Sequence, residues 1–305
     1  MRDAFARGFC KAARQHGNFF LVVADISPAA SLDDFRKEFP TRLVDVGVSE
    51  STMIGVAAGL ALRGFRPFTY TIANFTIYRP FEQVRVDLCY QNLPVVLVGI
   101  GGGMSYSALG GTHHTIEDIA VMGCLPNMTI LAPCDPLEVE AAVMAAAEQK
   151  GPVYLRVGKS GEPAITAQAP EPFEFGKLRR IADGGDAAII GFGPILKLGV
   201  DAAVRWQKET GKSAAIYSAH TMKPFDQAGA QALLRRHSKV ITVEEHVGLG
   251  GLGSLVRLAA QESGSRTQIT TLHLRDEFIH IYGSQDDLRA AHGITVETIY
   301  QALNG

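Results

Sequence analysis

Short runs of nearly continuous apolar residues recur along this chain, each about the length of a buried strand. They are "FFLVVADI" at 19–26, "RLVDVG" at 42–47, "RPFTYTI" at 66–72, "PVVLVGI" at 94–100, "NMTILAP" at 127–133 and "VYLRVG" at 153–158. Continuous rather than alternating apolarity marks parallel strands covered on both faces. Between the runs, helical periods extend from Ser51 to Arg63, Phe75 to Gln91 and Pro136 to Gln149. The last opens with Asp135 as a cap, proline at the first helical position and Glu138 in the first turn. That order satisfies the free amides of a helix N-terminus. Strand–helix alternation of this kind predicts an α/β domain built on a mainly parallel sheet.

The pattern breaks at "SGEPAITAQAPEPFEFG", 160–176, where Pro163, Pro170 and Pro172 interrupt any period. It restarts with "DAAIIGFG", "SAAIYSA", "KVITVEEH" and "QITTLHL". The expected organisation is two α/β domains, 1–165 and 178–305, each a mainly parallel sheet flanked by helices, with a linker over 166–177.

Composition narrows the function classes. With 47% apolar residues, 20% charged and a formal net charge of −2, the 305 residues have ordinary globular values. No basic excess points to nucleic acid or an anionic membrane. The start lacks a signal-peptide apolar core, and no uncharged apolar run is long enough to span a bilayer. Cys10, Cys89, Cys124 and Cys134 have no metal-finger or C-x-x-C spacing, and they read as buried thiols in a reducing cytoplasm.

Ligands of open parallel sheets bind beyond the carboxyl ends of the strands. Glu50 follows one predicted strand, Gly101–Gly103 follows another, and His113 and His114 lie in the next loop. Each has a plain alternative. Glu50 serves equally as a helix cap, the adjacent histidines as structural or solvated side chains, and Phe75 with Tyr78 as a core-packing pair on one helical face. Residues 79–85 either bring charge to a site or form a solvated face. Gly248, Gly250 and Gly253 satisfy G-x-G-x-x-G, which opens the reading of an NAD-dependent oxidoreductase. The match lies late in the chain and follows Glu244 and Glu245, whose carboxylates repel a pyrophosphate, so glycines for close helix–sheet packing is the stronger reading. "GIGGGMSYS" lacks the lysine of a phosphate loop, and no G-x-S-x-G marks a nucleophilic serine.

Five blocks, taken in order, resemble successive segments of the transketolase family: "GVSESTMIGVAAGLALRGFRPF", "FEQVRVDLCYQNLPVVLVGIGGG", "GGTHHTIEDIAVMGCLPNMTILAPCDPLEVE", "GPVYLRVGKSGEP" and "TVEEHVGLGGLGSLV". The family's relatives include the 1-deoxyxylulose-5-phosphate synthases and the β-subunits of 2-oxoacid dehydrogenase E1. The resemblance runs from about residue 5 to the C-terminus and covers the pyrimidine-binding and C-terminal domains, the second half of a full-length transketolase. "YQNLPV" and "CLPNMTILAPCD" are more similar to transketolase than to E1.

By that resemblance, Glu50 hydrogen-bonds the aminopyrimidine ring of thiamine diphosphate and, protonated, favours the imino tautomer that removes the thiazolium proton. A carboxyl in a poorly solvated cleft can hold a proton for such a bond at neutral pH. Phe75 would stack on the ring, with Tyr78 as a second platform, and Gly55, Ala57, Ala58 and Gly59 would admit a helix of a neighbouring chain. The family holds the diphosphate and Mg2+ with a G-D-G…N motif suited to a hard cation. "DGGD" at 183–186 is not that motif. The resemblance therefore implies a separate diphosphate-binding subunit, an α2β2 heterotetramer and an active site between chains.

The substrate positions depart from the family pattern. Leu109 stands where an aspartate binds a sugar hydroxyl, Gly101 where a histidine is usual, and Ala29 near a phosphate-contacting serine, with Ser27 or Ser31 as substitutes. His113 matches the histidine beside the reacting carbonyl, Arg156 an arginine of the synthases, and Lys159 a phosphate-binding arginine. The implied reaction makes or breaks a C–C bond next to a carbonyl, as two-carbon ketol or acyl transfer, on a small anionic substrate. A decarboxylating synthase-like or E1-β-like subunit is the alternative, and a non-catalytic assembly partner a further one.

Overall fold

The computed structural model describes residues 1–26 and 32–305. The strands are β1 (Phe19–Val23), β2 (Leu43–Asp45), β3 (Arg66–Ile72), β4 (Val96–Ile100), β5 (Thr129–Leu131), β6 (Val153–Val157), β7 (Arg179–Ala182), β8 (Ala187–Gly191), β9 (Ala214–Ser218), β10 (Thr221–Lys223), β11 (Lys239–Val247) and β12 (Gln268–Leu274). The helices of the first half are α1 (Arg2–Gln15), α2 (Asp33–Glu38), α3 (Glu50–Leu62), α4 (Ala73–Ile77), α5 (Phe81–Gln83), α6 (Asp118–Gly123) and α7 (Pro136–Glu148). Those of the second half are α8 (Leu196–Thr210), α9 (Gln227–Arg236), α10 (Leu252–Ser263), α11 (Gln285–Ala291) and α12 (Val296–Asn304).

Two α/β domains result. The first sheet has the order β10-β5-β6-β4-β3-β1-β2 and the second β12-β11-β8-β9-β7. All pairings are parallel except β10 on β5 and β7 on β9. Every residue of β4, β6 and β8 is buried, which is why those segments read as unbroken apolar runs. Under α1, the rings of Phe5, Phe9, Phe19, Phe35 and Phe68 pack at centroid separations of 4.8 to 6.5 Å. Asp135 caps α7, accepting from the Glu138 amide at 2.8 Å.

Three sequence expectations change. The single helix expected over Phe75–Gln91 is broken into α4, α5 and a π-helical turn at Val84–Tyr90. Pro80 cannot donate to the preceding turn and ends α4. Second, the four small residues of α3 do not share one open face. Ala57 and Ala58 are buried against their own domain, while Gly55 and Gly59, four residues apart, are exposed with no atom within 4 Å of a built Cβ. Third, Cys10, Cys89 and Cys134 are buried but Cys124 is exposed, in the turn after α6. Ala29, Ser27 and Ser31 lie outside the described residues. Among the described residues, no helix is long and apolar enough to cross a membrane.

The stretch between the domains is strapped down rather than free. The Thr166 amide and hydroxyl both donate to buried Asp135, at 2.7 and 2.8 Å, and Phe173 stacks on His220 at 4.0 Å. Burial, helped by the Arg179 charge, pushes the His220 pKa down to about 3. Unfolding therefore takes up a proton between that value and the ordinary 6.5, so stability rises with pH across the window. His220 alone is expected to make the protein about 2 kcal/mol less stable at pH 5 than at pH 8. Urea unfolding at both pH values checks this: His220→Asn should shrink the difference by that amount.

Candidate active site

Gly47, at φ +72°, turns the chain out of β2 into α3, a backbone conformation that favours glycine. The turn delivers Glu50 into the first turn of α3, where the residue is buried at 6% exposure. Its carboxylate accepts from Arg79 Nη1 at 2.7 Å. The Arg79 guanidinium also lies over the Phe75 ring, 3.8 Å from its centroid. The His113 ring meets Phe75 edge-on at 5.1 Å, and Thr112 Oγ1 lies 3.0 Å from His113 Nδ1. Burial first, and then the Arg79 charge, lower the His113 pKa, which favours a neutral imidazole at pH 7.

Glu50, Phe75 and His113, read separately from the sequence, thus come together, with Arg79 between the first two. Tyr78 is close by but differently engaged. Its hydroxyl donates to Glu117 at 2.7 Å, and the ring lines a cavity of about 370 Å³ with His114, Glu117, Phe278 and Ile279. Phe75 and Tyr78, three residues apart, thus have different partners, His113 and Arg79 for the first and Glu117 for the second. His114 is buried behind His113, and its carbonyl accepts from Asn74 at 2.8 Å.

Arg156 departs from its expected substrate contact. Only 3% exposed, it lies 2.7 Å from Asp118 through Nε and donates through Nη2 to the carbonyl of Glu245 at 3.1 Å. Tyr154 donates to the same Asp118 oxygen at 2.8 Å. Glu245 in turn pairs with Arg289 at 2.7 Å. A charge in the middle of a strand buried on both faces needs such a partner, so Arg156 ties the first domain to the second instead of meeting solvent. The glycine run makes room for it: a Cβ at Gly102 would sit 2.6 Å from Arg156 Cγ. Lys159 is exposed, with Nζ 5.0 Å from the Tyr106 ring, at a separate cavity of about 420 Å³ that Arg289 and Lys197 also line. Leu109 is 52% exposed in a short turn. The Gly101 amide donates to the carbonyl of Val157.

The late glycine motif resolves on one side chain. The amides of Leu252 and Gly253, at the start of α10, donate to Glu244 at 2.7 and 2.9 Å. A pyrophosphate needs that same helix N-terminus, and here the buried carboxyl group of Glu244 fills it. Burial raises the Glu244 pKa to about 8 against the opposing effect of those amides. The dinucleotide reading has no anion site left at this turn.

Sequence reasoning does not single out Arg79, Glu117 or Asp118. Arg79 has one available signal, its place four residues after Phe75 and directly before a helix-ending proline.

Comparison with known proteins follows the same division of the chain. The family described as transketolase, pyrimidine binding domain, matches residues 1–162, and that described as transketolase, C-terminal domain, matches 176–299. One subunit of an apulose-4-phosphate transketolase from Phocaeicola vulgatus is 33% identical over 298 residues, 98% of this chain and 94% of the relative. A 1-deoxy-D-xylulose-5-phosphate synthase of Methylacidiphilum infernorum is 34% identical over 97% of this chain, which spans 46% of that protein. A solved structure titled as a split gene transketolase, inactive beta4 tetramer, superposes with a TM-score of 0.90 at 31% identity, covering 99% of this chain and 96% of that one. The chain belongs to the transketolase family, whose pyrimidine-binding and C-terminal domains it carries.

Proposed function

We propose that this chain supplies the pyrimidine-binding half of a thiamine-diphosphate active site. A separate subunit, in an α2β2 assembly, would hold the diphosphate and Mg2+. The observation that carries this reading is the convergence of buried Glu50, the Phe75 face and His113 at the carboxyl end of the first sheet. The donor set fits the cofactor's ring. A carboxyl suits a ring nitrogen and an aromatic face suits a flat heterocycle, and the planar guanidinium of Arg79 already satisfies both at once. The bound cofactor supplies carbanion chemistry.

This chain's own residues supply orientation and proton control. Glu50 would hydrogen-bond the ring nitrogen, and Phe75 would lie against the face of the ring. His113, kept neutral by its surroundings, hydrogen-bonds the substrate oxygen on which charge develops. The reaction is two-carbon transfer to or from a small anionic carbonyl compound, with Lys159, across the Tyr106 ring from His113, as the exposed cation for its charge. Exposed Leu109 offers no hydrogen bond to a sugar hydroxyl, so a polyhydroxylated chain is a poor substrate.

The exposed face of α3, with Gly55, Gly59 and Leu62, continues into exposed Val48, Val86 and Tyr90. It is the surface on which a neighbouring chain would pack. The test is reconstitution with the diphosphate-binding subunit. Ketol transfer is expected only with both chains, thiamine diphosphate and Mg2+ present, and with slow use of xylulose 5-phosphate plus ribose 5-phosphate. Full activity of the lone chain would overturn the shared-site reading. Carbon dioxide release from pyruvate would favour the decarboxylating alternative, which similarity to the synthase supports.

A further inference from the structure

The guanidinium of Arg79 occupies the wedge between Glu50 and Phe75. It is 2.7 Å from the Glu50 carboxylate and 3.8 Å above the Phe75 ring. Those are the two groups assigned above to the nitrogen and the flat face of the aminopyrimidine. A planar cation bearing N–H donors makes both contacts in one pose. We propose that Arg79 is a cofactor-loading latch, a positioning residue that holds Glu50 and covers Phe75 until the cofactor's ring displaces it.

The inference rests on the thiamine diphosphate reading, and the local physics supports it. A buried carboxylate left without a donor is strongly unfavourable, so the space beside Glu50 requires an occupant. Arg79 can leave it readily. Its side chain is 50% exposed, and it sits at the break between α4 and α5. The backbone beside it is held, because the Tyr78 hydroxyl is bonded to Glu117 at 2.7 Å. Exchange therefore needs only side-chain rotation. An internal contact that covers a binding site lowers apparent affinity by the fraction of time the site is open, and removing that contact restores it.

The experiment titrates thiamine diphosphate, with Mg2+, into the reconstituted complex by calorimetry and follows association by stopped flow. Arg79→Gln is expected to tighten binding roughly threefold to tenfold, mostly through faster association. A merely structural role would weaken binding, so equal or weaker affinity in R79Q overturns the latch. If the wild-type complex binds no thiamine diphosphate, the cofactor reading falls and the latch with it. Wild-type binding with unchanged affinity in R79Q overturns the latch alone.

Discussion

Glu50→Gln is expected to reduce turnover of the reconstituted enzyme roughly 100- to 10,000-fold, the range associated with losing one acid–base group. The amide keeps the size and planarity of the carboxyl but cannot exchange a proton with a ring nitrogen. The side chain is buried, and its contact on this chain is the Arg79 guanidinium. That makes the substitution informative: glutamine can still accept from Arg79, so the first turn of α3 stays in place. A residue acting only as a helix cap would show the reverse pattern, with altered stability and near-normal turnover. Steady-state rates and a thermal melt on the same preparation separate the two. Wild-type turnover in E50Q would remove Glu50 from the mechanism.

The second large effect concerns stability. Arg156→Met is expected to destabilise the chain by about 3–5 kcal/mol, because it leaves Asp118 charged, wholly buried and without its cation. Asp118→Leu combined with R156M should recover much of that loss, since replacing both partners of a buried pair with apolar groups is often neutral. Urea unfolding of the two single variants and the double variant gives the coupling directly. Additive losses would show that the pair does not act as a unit. The consequence extends across the domain boundary, because the same guanidinium reaches the Glu245 carbonyl on β11.

Much of the architecture is legible in the sequence because it depends on local pattern. The runs that form β1, β4, β6, β8 and β11 are continuous in sequence because both faces are covered in the fold. The strands that escape such a reading, β7 and β10, are antiparallel edge pieces of four and three residues. They carry Arg179, Arg180 and Lys223, and they have no period to detect. At the site, Glu50 and His113 stand out through their position after strands, and the resemblance gives them roles. Arg156 misleads because sequence shows a charge without its burial. An arginine inside "VYLRV" is better read as a buried cation in need of a carboxylate. Arg79 is hidden in a run expected to be one helix, and its place four residues after Phe75 is the spacing that sets its guanidinium over that ring.

The edge strand β10 belongs by sequence to the second domain and by hydrogen bonding to the first sheet, where it pairs with β5. Heredity and architecture therefore draw the border in different places. A crossover that exchanged C-terminal domains between relatives would also replace the outermost ribbon of the neighbouring domain, so an exchanged module would have to bring a ribbon that fits the β5 edge.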